Sequence, residues 1–301
     1  DPNLGAILLL GTNQDGLHRS PDRGATFARV AGFPDASVTL VLFDAASGTA
    51  GKATPRLFAG SGKGGLYRSE DGGQSFALVE GSPREIPQRA VLDGEGNLYV
   101  TFSDGLAPNG GKSGSVHRRD ARTGEWKDIS PMRPGGRNPG FAYCGIDVDR
   151  NRPGTVLVST MNRWASRDDI YLSRDGGASW KAIGAYARHD PGQYHWLAAY
   201  MEGQDHMGHW IADVKIDPFD SNAMVYGTGY GLWTTRNLGA ADTGARVDFA
   251  FEVENLEETV ALDMVSPSGG ATILVAMADV GGSAYDDLAR SPRSGHILPT
   301  S

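Results

Sequence analysis

One carboxylate stands out for its setting. Asp279 lies just beyond the apolar strand Ile273-Leu274-Val275-Ala276-Met277, in the turn Ala278-Asp279-Val280-Gly281-Gly282. The strand anchors its backbone, and the following glycines have no Cβ to hold a ligand away. An aspartate so placed can exchange a proton with a bound substrate, or it can simply close a turn. Flat rings form a second group. Trp164 follows a strand, and Tyr194, His195 and Trp196 are consecutive in the stretch between Ile183 and Ile211. Such rings offer faces on which another ring can stack. The stretch reads as a loop of roughly 25 residues, a length uncommon without a purpose. It also holds His189, His206 and His209, with Asp190 and Asp205. His206-x-x-His209 has no Cys partner and no ordered ligand spacing, so no metal is expected there. The pairs Asp168-Asp169 and Asp286-Asp287 are assigned to solvated turns, with holding a neighbouring catalytic group as the alternative for either, Trp233 to a strand in the core, and Cys144 to a buried small hydrophobe.

The elements that position these residues repeat. Ser20-Pro21-Asp22-Arg23-Gly24-Ala25-Thr26-Phe27, Ser69-Glu70-Asp71-Gly72-Gly73-Gln74-Ser75-Phe76 and Ser173-Arg174-Asp175-Gly176-Gly177-Ala178-Ser179-Trp180 share the Asp-box pattern Ser-x-Asp-x-Gly-x-Ser/Thr-aromatic. Its Asp and hydroxyl side chains can bond the backbone of a tight hairpin, and the glycine supplies angles other residues resist. Arg119-Asp120-Ala121-Arg122-Thr123-Gly124-Glu125-Trp126 is a degraded copy. Before each box an apolar strand ends in Asp, and after a turn a second strand runs into small residues. Val41-Leu42-Phe43-Asp44 before Leu57-Phe58-Ala59-Gly60 is one example, and Ile146-Asp147-Val148-Asp149 before Val156-Leu157-Val158-Ser159 is another. Four short strands in about 50 residues make a β-propeller blade. The expected fold is therefore all-β, a propeller of about five to six four-stranded blades with Asp-box repeats. The boxes themselves are structural.

Composition narrows the function. Gly is abundant at 42 residues, as many tight turns require, and the formal charge of −8 argues against a nucleic-acid partner. No apolar run is long enough to cross a membrane. The single cysteine excludes an internal disulfide. The chain opens on Asp1-Pro2-Asn3 without Met, and both ends are expected to fall within blades of a longer protein.

Several stretches go beyond generic blades. They are Thr101-Phe102-Ser103-Asp104-Gly105-Leu106-Ala107-Pro108, Thr160-Met161-Asn162-Arg163-Trp164, Ile211-Ala212-Asp213-Val214-Lys215-Ile216-Asp217-Pro218-Phe219, Tyr226-Gly227-Thr228-Gly229-Tyr230-Gly231-Leu232-Trp233 and Ala278-Asp279-Val280-Gly281-Gly282. In this order, over nearly the whole chain, they resemble glycoside hydrolase family 74, the xyloglucan-cleaving β-1,4-glucanases. The resemblance implies a secreted enzyme built from two seven-bladed propellers facing each other across a cleft that holds a polysaccharide, with no cofactor. Residues 1–255 would be later blades of the first propeller and 256–301 the opening of the second. It implies inversion by two aspartates, one from each propeller. Asp279 would be the general acid, and its partner would lie upstream of Asp1, because no second Asp-Val-Gly-Gly occurs here. Trp164 matches the first of two tryptophans common in the family, the second position being Ala165, and with Tyr194, His195 and Trp196 it is the candidate for sugar binding.

Two other readings compete. A sialidase shares Asp-boxes but needs an arginine cluster and a Phe/Tyr-Arg-Ile-Pro start, which Arg84-Glu85-Ile86-Pro87 only echoes. A non-catalytic propeller that binds or assembles proteins explains the boxes equally well, but not the ordered motifs or Asp279.

Overall fold

The computed structural model describes residues 1–133, 140–164, 166–194, 197, 205–254, 256, 260–278, 281–290 and 292. Among them every sheet pairing but one is antiparallel, and the strands form successive small sheets. The first holds β1 (Leu8–Gly11), β2 (Leu17–Ser20) and β3 (Ala28–Arg29). The second runs β4 (Val38–Phe43), β5 (Leu57–Ser61), β6 (Leu66–Ser69), β7 (Ala77–Leu78). The third is β8 (Ile86–Leu92), β9 (Leu98–Ser103), β10 (Gly114–Arg119), β11 (Trp126–Asp128), and the fourth β12 (Ala142–Val148), β13 (Val156–Met161), β14 (Ile170–Ser173), β15 (Lys181–Ala182). Each has its strands in sequence order, the up-and-down meander of a propeller blade.

The fifth sheet departs from the expected unit. It contains β17 (Asp213–Asp217), β18 (Asp220–Thr228), β19 (Gly231–Thr235) and β20 (Val247–Phe251), with a 3₁₀ turn at Leu238–Thr243 where other blades carry a box. A fifth strand, β16 (Ala187–Asp190), pairs in parallel with β20 at the outer edge. The stretch read as one long loop therefore begins as a strand. Alternation of apolar residues is too brief over Ala187–Asp190 to reveal it. The last sheet is β21 (Ala261–Val265), β22 (Ile273–Met277) and β23 (Gly281–Tyr285).

The first strands of the second to fifth sheets lie side by side. Buried and half-buried hydroxyls stitch one sheet to the next. Thr39 Oγ1 donates to Pro87 O, Thr101 Oγ1 to Cys144 O at 2.6 Å, and Ser159 Oγ to Ile211 O at 2.6 Å. Between these seams, apolar clusters fill the gaps. Phe58, Leu66, Leu98, Val100 and Phe102 make one, and Tyr99, Val116, Tyr143, Ile146 and Val158 the next.

The boxes form as their residue types require. Asp175 Oδ1 accepts the Ser179 N–H at 2.8 Å and the Ser173 hydroxyl at 2.8 Å, while Oδ2 takes the Ser179 hydroxyl. The box aromatic reaches back to the preceding sheet. Trp180 Nε1 donates to Ile129 O at 2.7 Å, Trp126 Nε1 to Glu80 O at 3.1 Å, and Phe76 meets Phe33 edge-on at 5.4 Å. These three boxes are thus clamps between sheets as well as hairpins, while Phe27 of the first box is exposed. Because the strands alternate in direction, boxes and first turns share one face. The links between second and third strands, and those between sheets, share the opposite face.

Candidate functional site

The opposite face carries an aromatic corner built from two links. The first joins β13 to β14 and holds Asn162, Arg163, Trp164, Arg167 and Asp168; the second, residues 205–212, leads into β17. Trp164 is 52% exposed, unusual for a tryptophan and unlike a core residue. One side of its ring is backed by His209, with centroids 4.5 Å apart and planes tilted by 31°, and Trp210 meets it edge-on at 5.5 Å. Trp164 Nε1 donates to Asn162 Oδ1, and Asn162 Nδ2 to Gly111 O at 2.8 Å, which ties the corner to the neighbouring sheet. Arg167 Nη1 donates to His209 Nε2 at 2.6 Å. A guanidinium has no lone pair, so Nε2 is the acceptor and the imidazole is neutral.

The backbone here adopts conformations that side chains resist. Asn162, Arg167 and Trp210 have φ of 67°, 65° and 57°, three of the four non-glycine residues with positive φ among the described residues. Such angles cost free energy and persist where surrounding bonds impose them. At Trp210 the bond comes from Asp168. Its side chain is 2% exposed, and Oδ1 accepts from Thr160 Oγ1 at 3.1 Å and Arg163 N at 3.0 Å. Oδ2 accepts from Trp210 N at 2.8 Å, and in return Asp168 N donates to Gly208 O at 3.2 Å. Burial pushes the carboxyl above its ordinary range, against the pull of those donors. Asp169 is also pushed up by burial while accepting the Gly184 and Ile170 amides. The expectation that this pair is solvated is therefore corrected. Asp286 and Asp287 do stand exposed.

No protein-family model matches the chain. It is 34% identical to a xyloglucanase from Paenibacillus sp over an alignment taking in 97% of this chain and 32% of that protein. A xyloglucanase from Acetivibrio thermocellus is also 34% identical, over 99% of this chain and 39% of its own. The crystal structure of the GH74 xyloglucanase from Xanthomonas campestris matches with a TM-score of 0.86 at 36% identity, covering 97% of this chain and 43% of that one. The Niastella koreensis GH74 enzyme matches with a TM-score of 0.84 at 28% identity, over 100% and 44%. The chain belongs to glycoside hydrolase family 74. This family-74 chain spans 32% to 39% of the length of the two relatives.

The candidates of this family-74 chain do not all converge. Trp164 lies on the open surface described above. Tyr194 is 6% exposed, with its ring edge-on to Phe251 at 5.2 Å inside the core cluster of the fifth sheet, so its face is taken up by packing. His195, Trp196 and Ala165 lie outside the described residues, as do Asp279 and Val280. The flanking strand ends are paired, Met277 opposite Gly281, so Asp279 falls in the link between the second and third strands of its sheet.

His189 is a core residue. Its ring stacks on Phe249 at 5.1 Å, Nε2 lies 2.7 Å from the Tyr226 hydroxyl, and burial pulls the imidazole down to about 4. Among the described residues no group of His, Cys, Asp or Glu is arranged to hold a metal. Cys144 is fully buried, its thiol pushed up to about 11 by desolvation, and Trp233 is 3% exposed in the core. Sequence reasoning missed Asp168, His209 and Trp210 as parts of the corner. The one signal available was the Thr160-to-Trp164 motif beside the Asp pair.

Proposed function

We propose that this chain is part of a secreted enzyme that hydrolyses the β-1,4-glucan backbone of xyloglucan by inversion. The observation that carries the reading is the 34% to 36% identity to xyloglucanases across nearly all of the chain. Residues 1–255 then belong to a first propeller, and 256–301 open a second. Asp279 is the general acid and protonates the leaving glycosidic oxygen, while a partner carboxylate from outside these residues activates water on the opposite side of the sugar. Inverting pairs stand roughly 6.5 to 9.5 Å apart to admit that water. Such an acid must hold its proton near neutral pH, which a neighbouring carboxylate or partial burial brings about. Asp279 occupies the same kind of link as Trp164, and that agreement supports its facing a shared cleft.

Trp164 is the stacking surface for a pyranose ring, half-exposed, with His209 against one side and Trp210 edge-on. His195 and Trp196 are the further candidates for sugar contact, and Tyr194 beside them packs into the core.

The test is cleavage of tamarind xyloglucan by the full-length protein, followed as new reducing ends. Asp279→Ala should lower turnover by about 10²- to 10⁴-fold, the range for loss of a general acid. The 301-residue chain alone should release none. Binding of a protein partner without sugar release would favour the scaffold reading.

A further inference from the structure

We propose that Asp168 is the positioning residue of the aromatic corner, one buried carboxylate that fixes the angle between Trp210 and Trp164 and so the shape of the sugar-stacking surface. The inference rests on the reading of Trp164 as a sugar contact, but its geometry stands apart from that reading. Both carboxylate oxygens are committed, and to different chain segments. Oδ1 holds the amide of Arg163, the residue before Trp164, together with the Thr160 hydroxyl at the end of β13. Oδ2 holds the amide of Trp210, which lies 42 residues further along the chain. The Asp168 amide closes the link in the other direction on Gly208 O.

Trp210 needs such a hold, since its φ of 57° is strained for a bulky residue. Room for its ring comes from Gly229, where a Cβ would stand 2.6 Å from the indole Cε3, and the Gly229 amide donates to His209 O at 3.2 Å. With the Trp210 and Arg163 amides both held by one carboxylate, the backbones that carry the two indoles are fixed relative to each other. Among the described residues the donors to the Asp168 carboxylate lie five, eight and 42 residues away. The carboxylate therefore acts between segments rather than within one hairpin.

The test uses the full-length protein with Asp168→Asn, Trp164→Ala and the double variant. Asparagine keeps the volume but turns one acceptor into a donor facing an amide. Asp168→Asn should raise KM for xyloglucan about 3- to 10-fold with kcat within about twofold, the scale of a lost aromatic contact. The double variant should be no worse than Trp164→Ala, because both changes remove the same surface. Near-UV circular dichroism should lose the same tryptophan band in either single variant. An unchanged KM, or an effect that adds in full to Trp164→Ala, would overturn the proposal. If Asp168→Asn does not fold, Thr160→Val removes one donor and should move KM in the same direction by less, and no movement there is equally fatal. Should the parent protein cleave no xyloglucan, the functional reading fails while the dichroism still decides whether Asp168 orders the corner.

Discussion

Aspartates perform one task in two places on this chain, under opposite conditions. Asp22, Asp71 and Asp175 sit on the outer boxes, and Asp168 sits beneath the aromatic corner, yet all four accept amides and hydroxyls. On the rim, every donor comes from within four residues. Asp22 takes Thr26 N at 2.9 Å, Thr26 Oγ1 at 2.6 Å and Ser20 Oγ at 2.8 Å. Hydrogen bonds hold the exposed carboxylates of Asp22, Asp71 and Asp175 down at about 2, at Asp71 against an opposing desolvation that they together outweigh. At the corner the donors come from residues 160, 163 and 210, and burial outweighs them. The rim carboxylates shape their own hairpins. The buried one joins segments 42 residues apart in the chain, and burial disfavours its ionised form.

Truncation should separate the two most widely. Asp168→Ala leaves two amides and a hydroxyl without their acceptor in a buried place, and should cost on the order of 3 kcal/mol. Asp175→Ala leaves donors that water can reach, so its loss should be clearly smaller. Urea midpoints of the two variants against the parent give the comparison. Equal losses would mean that burial does not set the difference.

Acid sharpens the contrast with a smaller effect of opposite sign. The folded pKa of each rim carboxylate lies below its unfolded value of 3.8. Their stabilisation is present above about pH 4 and is lost as pH falls towards 2. Asp168 is raised, so the folded form takes up its proton first and gains stability as pH falls towards 3.8 from above. Asp175→Asn should therefore blunt the loss between pH 4 and 2. Asp168→Asn should remove a gain on acidification above pH 4. Urea midpoints at pH 3 and 5 report each slope, and a variant that shifts the wrong window refutes its assignment.

The same division explains what could be read in the sequence. The boxes and the strand-Asp-turn-strand units are local patterns, so the blades, the buried Trp233 and the buried Cys144 were legible from residue types alone. Asp168-Asp169 looked solvated because two adjacent charges at a turn usually are. The donor that reverses this, Trp210 N, is far along the chain and belongs to a segment without periodicity. β16 escaped notice for a related reason: its partner β20 is the last strand of the following sheet, and parallel pairing across such a distance leaves no local signature. Trp164 was singled out because it follows a strand, stands outside any box and matches a tryptophan of the family, and its ring is half-exposed. Tyr194 was grouped with His195 and Trp196 by adjacency, yet its ring turns into the core cluster of the fifth sheet, a direction no spacing encodes.

Two glycines offer the finest test of whether the regions are built to different ends. Gly177 belongs to the fourth sheet's box, has φ of 89°, and an added Cβ would stand 2.6 Å from Ile129 Cδ1. Alanine there meets both a disfavoured backbone and a packed side chain of the preceding sheet, and should cost about 1 to 2 kcal/mol. Gly229 lies outside the positive-φ set, so its backbone tolerates a side chain, and the obstacle is the Trp210 indole alone. An indole can swing where a packed strand cannot. Gly229→Ala should therefore leave the melting temperature nearly unchanged and weaken xyloglucan affinity about threefold, as Trp210 moves against Trp164. Gly177→Ala should do the reverse, lowering the melt while retaining affinity. Affinity electrophoresis in xyloglucan gels beside thermal melts reads both quantities. If Gly229→Ala lowers the melt as far as Gly177→Ala and spares binding, the corner is one more structural clamp rather than a surface shaped for a ligand.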